Sequence, residues 1–348
     1  MKMKPLGRTG IEVSDLCLGT MTFGTQTVEA DAHRQMDTAL AAGINFVDTA
    51  EMYPVNPVSK DTIGRTEEIL GNWNAAHPAR RAEYVLATKH SGEGLAAVRD
   101  GAPISAATIP GAVEGSLRRL QTDYIDLYQF HWPNRGSYMF RQNWDYDPSG
   151  GDRQAVLDNM RECLEALQSQ VDKGNIRAFG LSNESAWGTA QWLRLSDELG
   201  APRVASVQNE YSLLCRLYDT DMAELSAYED VGLLAFSPLA AGFLTGKYQG
   251  GAVPEGSRMS IEPQMGGRKG DRVFEAVEAY LAIAAKHELD PVHMALAWCQ
   301  ARPFMTSVIF GATTQAQLER ILEGRDVVLS DEVVAEINAA HRAHPMPY

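Results

Sequence analysis

Eight short β-branched runs alternate with eight longer amphipathic stretches along the 348 residues, and this count predicts an α/β fold, a (β/α)8 TIM barrel. No glycine-rich G-x-G-x-x-G turn follows the first run, which weighs against a doubly wound sheet carrying a dinucleotide there. Length agrees, since such barrels commonly run from ~200 to more than 400 residues as one unit. The chain is therefore read as a single barrel domain over residues 1–348, although two domains would also fit the length.

Residues 5–15 alternate Ile11, Val13 and Leu16 around Thr9-Gly10, which predicts an N-terminal β-hairpin closing the bottom of the barrel. Strands are expected at 16–19, 45–48, 84–88, 125–130, 176–181, 204–207, 233–236 and 307–310. Helices follow them one for one near 30–42, 62–76, 106–121, 154–173, 185–199, 219–230, 271–287 and 314–323. The clearest spaces Val156, Met160, Cys163, Leu164, Leu167 and Val171 three or four apart, and Lys173-Gly174 ends it. Val113, Leu117 and Leu120 repeat the pattern, and residues 330–342 predict one further helix. Segments 132–152 and 242–270 exceed ordinary loop length, and are expected to be functional or mobile at the C-terminal face.

Composition narrows the function. The formal charge is −14, which disfavours nucleic acid as a partner, because neutralising phosphates needs a basic surface. A hydrophobic fraction of 45% with 22% charged residues is ordinary globular composition and excludes wholesale disorder. No apolar run approaches the ~20 residues of a bilayer span, and Met1-Lys2-Met3-Lys4-Pro5 has no hydrophobic stretch behind it. A soluble, untargeted, cytoplasmic chain is expected. Cys17, Cys163, Cys215 and Cys299 lie far apart without C-x-x-C spacing, so reduced thiols are the default.

In such a barrel, side chains just past each strand converge on one mouth. The polar or catalytic types there are Thr20 with Met21, Asp48 with Tyr53, Lys89, His131 with Trp132, Ser182-Asn183, Gln208-Asn209, Phe236-Ser237 and Gly311-Ala312-Thr313. Singly, Asp48 could cap a turn, Tyr53 could pack an aromatic edge, Lys89 could be a solvated strand end and His131 a core histidine. Together, an acid, a phenol, an ammonium and an imidazole on strands two, three and four are parts for polarising and protonating a carbonyl. A phenol titrates near ~10, and an adjacent ammonium lowers that value. Tyr53 is then the proton donor, Lys89 its cation, Asp48 the partner that holds Lys89, and His131 a hydrogen-bonding group for the substrate oxygen or a relay. No second His stands at ligand spacing from His131, so no metal is expected.

The motifs Asn45-Phe46-Val47-Asp48-Thr49-Ala50 with Tyr53, Ala87-Thr88-Lys89, and Asp126-Leu127-Tyr128-Gln129-Phe130-His131-Trp132 resemble the Asp, Tyr, Lys and His tetrad of the aldo-keto reductases. Leu6-Gly7-Arg8-Thr9-Gly10 and Leu18-Gly19-Thr20-Met21-Thr22-Phe23-Gly24 look like the branch of that family that includes potassium-channel β subunits and many bacterial reductases. Tyr53-Pro54, Gln121-Thr122-Asp123-Tyr124 and the Pro-Met-Pro-Tyr ending look most like its bacterial Tas-type members.

The resemblance implies NADPH as cofactor and a set of contacts to it. Ser182, Asn183 and Gln208 match residues that hold the nicotinamide carboxamide, and Phe236 matches the ring stacked on the nicotinamide. Gly19, Thr20, Met21 and Asp48 are implied beside them. Ser237, Pro238, Leu239, Gly242, Leu244 and Lys247 fall in a stretch resembling the pyrophosphate loop, and Arg258 matches a basic position near the phosphates, with Arg268 and Lys269 extending its charge. Gly311, Thr313, Gln317 and Arg320 fall in the adenosine-binding strand and helix. There the chain departs from many members: Gln317 replaces an Arg that grips the 2′-phosphate, and Arg320-Ile321 replaces a Glu-Asn pair on the adenine, with Arg320 a partial substitute for the missing charge. Met21, Tyr53, His131 and Trp132 would bind substrate, with Tyr138, Phe140, Trp144 and Tyr146 completing an aromatic wall suited to flat or apolar aldehydes.

The expected function is NADPH-dependent reduction of a small-molecule aldehyde or ketone. Two alternatives use the same residues: a cofactor-bound barrel regulating a protein partner, and a lyase with Lys89 as Schiff-base nucleophile. The lyase leaves Ser182, Asn183, Gln208 and the phosphate loop without a role.

Overall fold

The structure is a computed structural model describing all 348 residues. An antiparallel hairpin, β1 (Met3–Pro5) with β2 (Glu12–Ser14), precedes eight barrel strands. These are β3 (Leu16–Gly19), β4 (Phe46–Asp48), β5 (Val85–His90), β6 (Ile125–Phe130), β7 (Ile176–Ser182), β8 (Val204–Glu210), β9 (Gly232–Phe236) and β10 (Met305–Phe310). They are parallel throughout and close in the order β10-β3-β4-β5-β6-β7-β8-β9, so the fold is a (β/α)8 barrel. Around it run α1 (Glu29–Ala41), α2 (Arg65–Ala76), α3 (Ile109–Leu120), α4 (Arg153–Asp172), α5 (Ala186–Leu199), α6 (Asp221–Glu229), the short α7 (Arg258–Ile261), α8 (Asp271–Lys286), α9 (Pro291–Gln300), α10 (Gln315–Glu323) and α11 (Asp331–Ala343). No helix is long and apolar enough to cross a membrane.

Two differences from the sequence expectation have physical causes. Helix α9 has no counterpart in it, although Asp290 caps the helix by accepting from the Val292 and His293 amides and Pro291 opens it. Seven of its ten residues are buried, so it lacks the polar face whose periodicity reveals a helix. Strands β5, β7 and β8 also run one to three residues past the expected ends, placing Lys89, Ser182 and Gln208 on the strands themselves. Their polar side chains find partners inside the barrel, so the ladder need not stop where the apolar run stops.

The alternation of strand residues builds two cores. Val47, Leu86, Tyr128, Phe179 and Val207 face the helices, while Cys17, Phe46, Val85, Leu127, Ala205, Leu234 and Ile309 fill the lower barrel interior. Leu6, Ile11 and Val13 of the hairpin join that inner cluster and close its floor, as the alternation around Thr9-Gly10 predicts. Gly7, at φ +54, lets the turn seat on β8: a Cβ there would lie 2.6 Å from the Ala205 carbonyl oxygen. Higher in the barrel the interior turns polar, and the chemistry-bearing side chains stand there. All four cysteines are buried and unpaired.

Candidate active site

Asp48 ends β4 and Lys89 lies one residue before the end of β5, and their side chains meet inside the barrel. Lys89 Nζ donates to Asp48 Oδ2 at 2.5 Å and to the Thr49 carbonyl at 2.7 Å, and lies 3.4 Å from the Tyr53 hydroxyl. Tyr53 sits in the turn after β4. That turn is tied down by Glu51, which accepts from the Ser91 amide at 2.6 Å and from Arg99 Nη1 at 2.5 Å. His131 follows β6, its amide donating to the His90 carbonyl at 2.9 Å, and its ring stands edge-on to Tyr53 with centroids 5.8 Å apart. The fold thus brings all four side chains together.

Burial sets their protonation. It pulls the Lys89 ammonium down, but the Asp48 carboxylate and Tyr53 outweigh it, so the pKa lies above the ordinary lysine value. For Tyr53 burial raises the pKa and Asp48 adds to the rise, and together they exceed the lowering by Lys89. The lowered phenol expected from the residue types alone is corrected to a raised one: the carboxylate that holds Lys89 also opposes phenolate. Burial, then the charge of Lys89, hold His131 well below the usual imidazole range, so its ring is neutral.

Two glutamines brace the centre. Gln129 Nε2 and Gln208 Nε2 donate to Asp48 Oδ1 at 3.1 and 2.8 Å, and Gln208 also donates to Gln129 Oε1 at 3.0 Å. Gln129 escaped the sequence reading, although a polar residue amid the apolar 125–130 run was a signal. Ser182 Oγ donates to the Gln208 carbonyl, and Asn183 Nδ2 to the His131 carbonyl and to Ser182 Oγ. Asn183 Oδ1 and His131 Nδ1 are buried without a partner. Two such groups beside one cavity are suited to a polar ligand.

The cavity above them has a volume of about 720 Å³, and Tyr53, His131 and Trp132 line it together with Gly19, Thr20, Met21, Asp48, Ser182, Asn183 and Gln208. Phe236, Ser237, Pro238, Leu239 and Gly242 continue its wall, and Gly311, Thr313, Gln317 and Arg320 line it too. Leu244, in contrast, packs into the hydrophobic core at 2% exposure, and its side chain is not part of the lining. Positive φ at Ser237, Ala240, Ala241 and Gly242 coils the backbone after β9, and a Cβ on Gly242 would lie 2.9 Å from Lys247 Cε. A coiled small-residue loop beside a lysine has the amides and charge that could hold an anion.

The cations around the cavity differ in their freedom. Lys247 and Arg258 line it without an ion-pair partner, whereas Arg320 is held by Asp290 at 2.8 Å. Gln317 Oε1 accepts from the Thr313 amide and hydroxyl at 2.9 and 3.1 Å. Arg268 is buried on Glu210, Nε to Oε1 2.8 Å, and Lys269 is exposed away from the lining, so the basic loop is not a free cluster. Phe140 joins the aromatic wall. Tyr138, Trp144 and Tyr146 do not: the two tyrosines pack on each other with centroids 6.1 Å apart, and Trp144 is exposed. Glu210 and Arg141, a second pair beside the cavity, were not singled out by the sequence.

The profile of the aldo/keto reductase family matches residues 15–342. "Protein tas" of Escherichia coli is 42% identical over all of this chain and 99% of its own length. An "Uncharacterized oxidoreductase YrpG" of Bacillus subtilis is 34% identical over 97% of this chain and 95% of its own. A "Probable voltage-gated potassium channel subunit beta" of rice is 30% identical over 99% of this chain and 98% of its own. With the closed parallel barrel and a full-length match of this kind, the chain belongs to the aldo/keto reductase family of oxidoreductases.

Proposed function

We propose that this chain, acting as one barrel domain, reduces an aldehyde or ketone to the alcohol with NADPH, with Tyr53 as the proton donor. The observation that carries the reading is the Asp48–Lys89–Tyr53 chain of 2.5 and 3.4 Å on the cavity floor, with a neutral imidazole beside the phenol.

The residues fit the cofactor. Asn183, Ser182 and Gln208 offer amide and hydroxyl groups toward a carboxamide, Phe236 offers an aromatic ring, and the coiled backbone from Ser237 to Gly242 with Lys247 and Arg258 offers amides and charge to phosphates. Bound NADPH supplies the hydride. The chain's own part is protonation and polarisation: the phenol keeps its proton until an oxygen beside it gains negative charge. The Lys89 ammonium then stabilises the phenolate left behind. Neutral His131 donates a hydrogen bond to the same oxygen, and Trp132 and Met21 shield the site from water. Lys89 itself is protonated and engaged by three oxygens, which supports an electrostatic role over a nucleophilic one.

The test is loss of NADPH absorbance with para-nitrobenzaldehyde. Tyr53→Phe should lower kcat by ~10²–10⁴ while cofactor affinity, read by quenching of tryptophan fluorescence, stays nearly the same. An unchanged kcat would remove the tetrad from the mechanism.

A further inference from the structure

One cation beside the cavity has no assigned work. Arg141 lies in segment 132–152, lines the cavity and is mostly buried, with 15% of its side chain exposed. Its Nη1 donates to Glu210 Oε2 at 2.8 Å, but Glu210 is shared: Oε1 also accepts from Arg268 Nε at 2.8 Å and from the Tyr348 hydroxyl at 3.0 Å. One carboxylate therefore faces two guanidinium groups. Burial works against both, but Glu210 outweighs it at Arg268, whose pKa is raised, and not at Arg141, whose pKa burial and the like charge of Arg268 hold below the ordinary value. Of the carboxylates that line the cavity, Asp48 belongs to Lys89, and Glu262 stands near Arg258 and accepts from the Gly266 amide. Beyond Lys247 and Arg258, the charge left over is that of Arg141.

The geometry around that charge leaves room for an acceptor. Arg141 Nε is buried with no hydrogen-bond partner, and no protein oxygen takes Nη2. Nε is closed off by the surrounding chain, so Nη2 is the nitrogen left open to a charge-assisted hydrogen bond from the cavity side. The guanidinium packs beside Gly266 and Gly267, where a Cβ would lie 3.4 Å from Nη2 and 3.6 Å from Nε, so the absence of side chains there keeps Nη2 uncovered. Phe140 and Arg141 both hold left-handed backbone, φ 58 and 64, a conformation kept where the surroundings enforce it. Trp132 and Phe140 line the same cavity as Arg141, Tyr53 and His131, and stand edge-on with centroids 6.4 Å apart.

We propose that Arg141 anchors a carboxylate of the substrate, so that the carbonyl compounds this site serves are aldehydes or ketones bearing an acid group on a flat or apolar body. The inference rests on the carbonyl-reduction reading and names its substrate class. The body lies along Trp132 and Phe140, the carbonyl reaches Tyr53 and His131, and the acid meets Nη2 of Arg141.

The test compares para-carboxybenzaldehyde with its neutral methyl ester in wild type, Arg141→Met and Arg141→Lys. Wild type should favour the acid in kcat/KM by about ten- to a hundredfold at low salt. That ratio should fall toward one in Arg141→Met and be partly kept in Arg141→Lys, which has charge without the planar guanidinium that reaches Glu210 and the cavity together. A second readout is independent of turnover: para-(hydroxymethyl)benzoate should quench tryptophan fluorescence at lower concentration than its methyl ester, and the difference should vanish in Arg141→Met. Equal handling of acid and ester by wild type overturns the proposal. So does an Arg141→Met variant that loses both substrates alike, since that is a loop-anchoring role through Glu210. If neither aldehyde is reduced while the Arg141-dependent binding difference persists, carbonyl reduction fails and the anion site stands. Should Arg141→Met not fold, the wild-type ratio and Arg141→Lys still decide.

Discussion

At the scale of single residues, the centre is governed by one desolvated charge pair. Lys89 is fully buried, and its ammonium keeps its proton chiefly because Asp48 is 2.5 Å away, with Tyr53 adding to the effect. Lys89→Met should therefore be as damaging to turnover as Tyr53→Phe, with Asp48→Asn intermediate. It should also lower stability by roughly 3–5 kcal/mol, because Asp48 is left without its cation. Borohydride added with an aldehyde should give no mass adduct at Lys89, and a stoichiometric one would reverse the electrostatic assignment. Cofactor choice is also a residue-scale matter. NADPH should bind more tightly than NADH at low salt, through Lys247 and Arg258, each charge-assisted contact contributing ~1.5–3 kcal/mol before screening. Arg320→Ala should matter less than Arg258→Ala, since Asp290 already engages Arg320. Dissociation constants for both cofactors at two salt concentrations check this, and equal values would mean that these cations do not meet the 2′-phosphate.

At the scale of elements, the N-terminal hairpin is a plug held by fit. Its three apolar side chains complete the lower core, and the turn at Gly7 lies against the backbone of Ala205 near the start of β8. Gly7→Ala meets two penalties, a φ of +54 and a Cβ 2.6 Å from the Ala205 carbonyl oxygen. The variant should unfold at lower urea with an unchanged m-value, corresponding to ~1–3 kcal/mol. An unshifted midpoint would mean that the hairpin is not seated on the barrel floor. Strand extension has a parallel logic: β5 continues through Lys89 and His90 because both are satisfied in place, the latter by the Ser91 carbonyl and the Thr108 hydroxyl.

At the scale of the whole molecule, buried neutral histidines set the acid limit. Burial, only partly offset by Glu51, lowers His90 to about 4, and His131 lies well below the usual value too. Both are charged more readily when unfolded, near ~6.5, so the unfolded chain binds more protons between the two values. Stability should be fully present above ~6.5 and fall as pH drops toward 4, His90 alone contributing about 3 kcal/mol of the loss. The lowered carboxyl pKa of Glu51 and of Glu210 works in the same direction further down: what each contributes is present above the ordinary carboxyl range and is lost as pH falls through the lowered value. Urea midpoints between pH 4 and 7 measure the slope. A His90→Gln variant should flatten it, and an unaltered slope would remove His90 as its source.

The order of strands and helices was legible in the chain, because apolar alternation and capping are local and each element carries its own pattern. So were the residue types of the tetrad, since side chains at the ends of successive parallel strands must share one mouth. Long-range pairing decided the rest. Gln208 reaches Asp48 across 160 residues, and Glu210 gathers Arg141, Arg268 and Tyr348 from 69, 58 and 138 residues away. No local pattern announces that Arg268 and Arg320 are paired, that Lys247 and Arg258 have no ion-pair partner, and that Arg141 shares its carboxylate with Arg268. Nor could residue types tell the sign of the Tyr53 shift, which depends on how much water the folded barrel removes from the phenol and how close it brings Asp48.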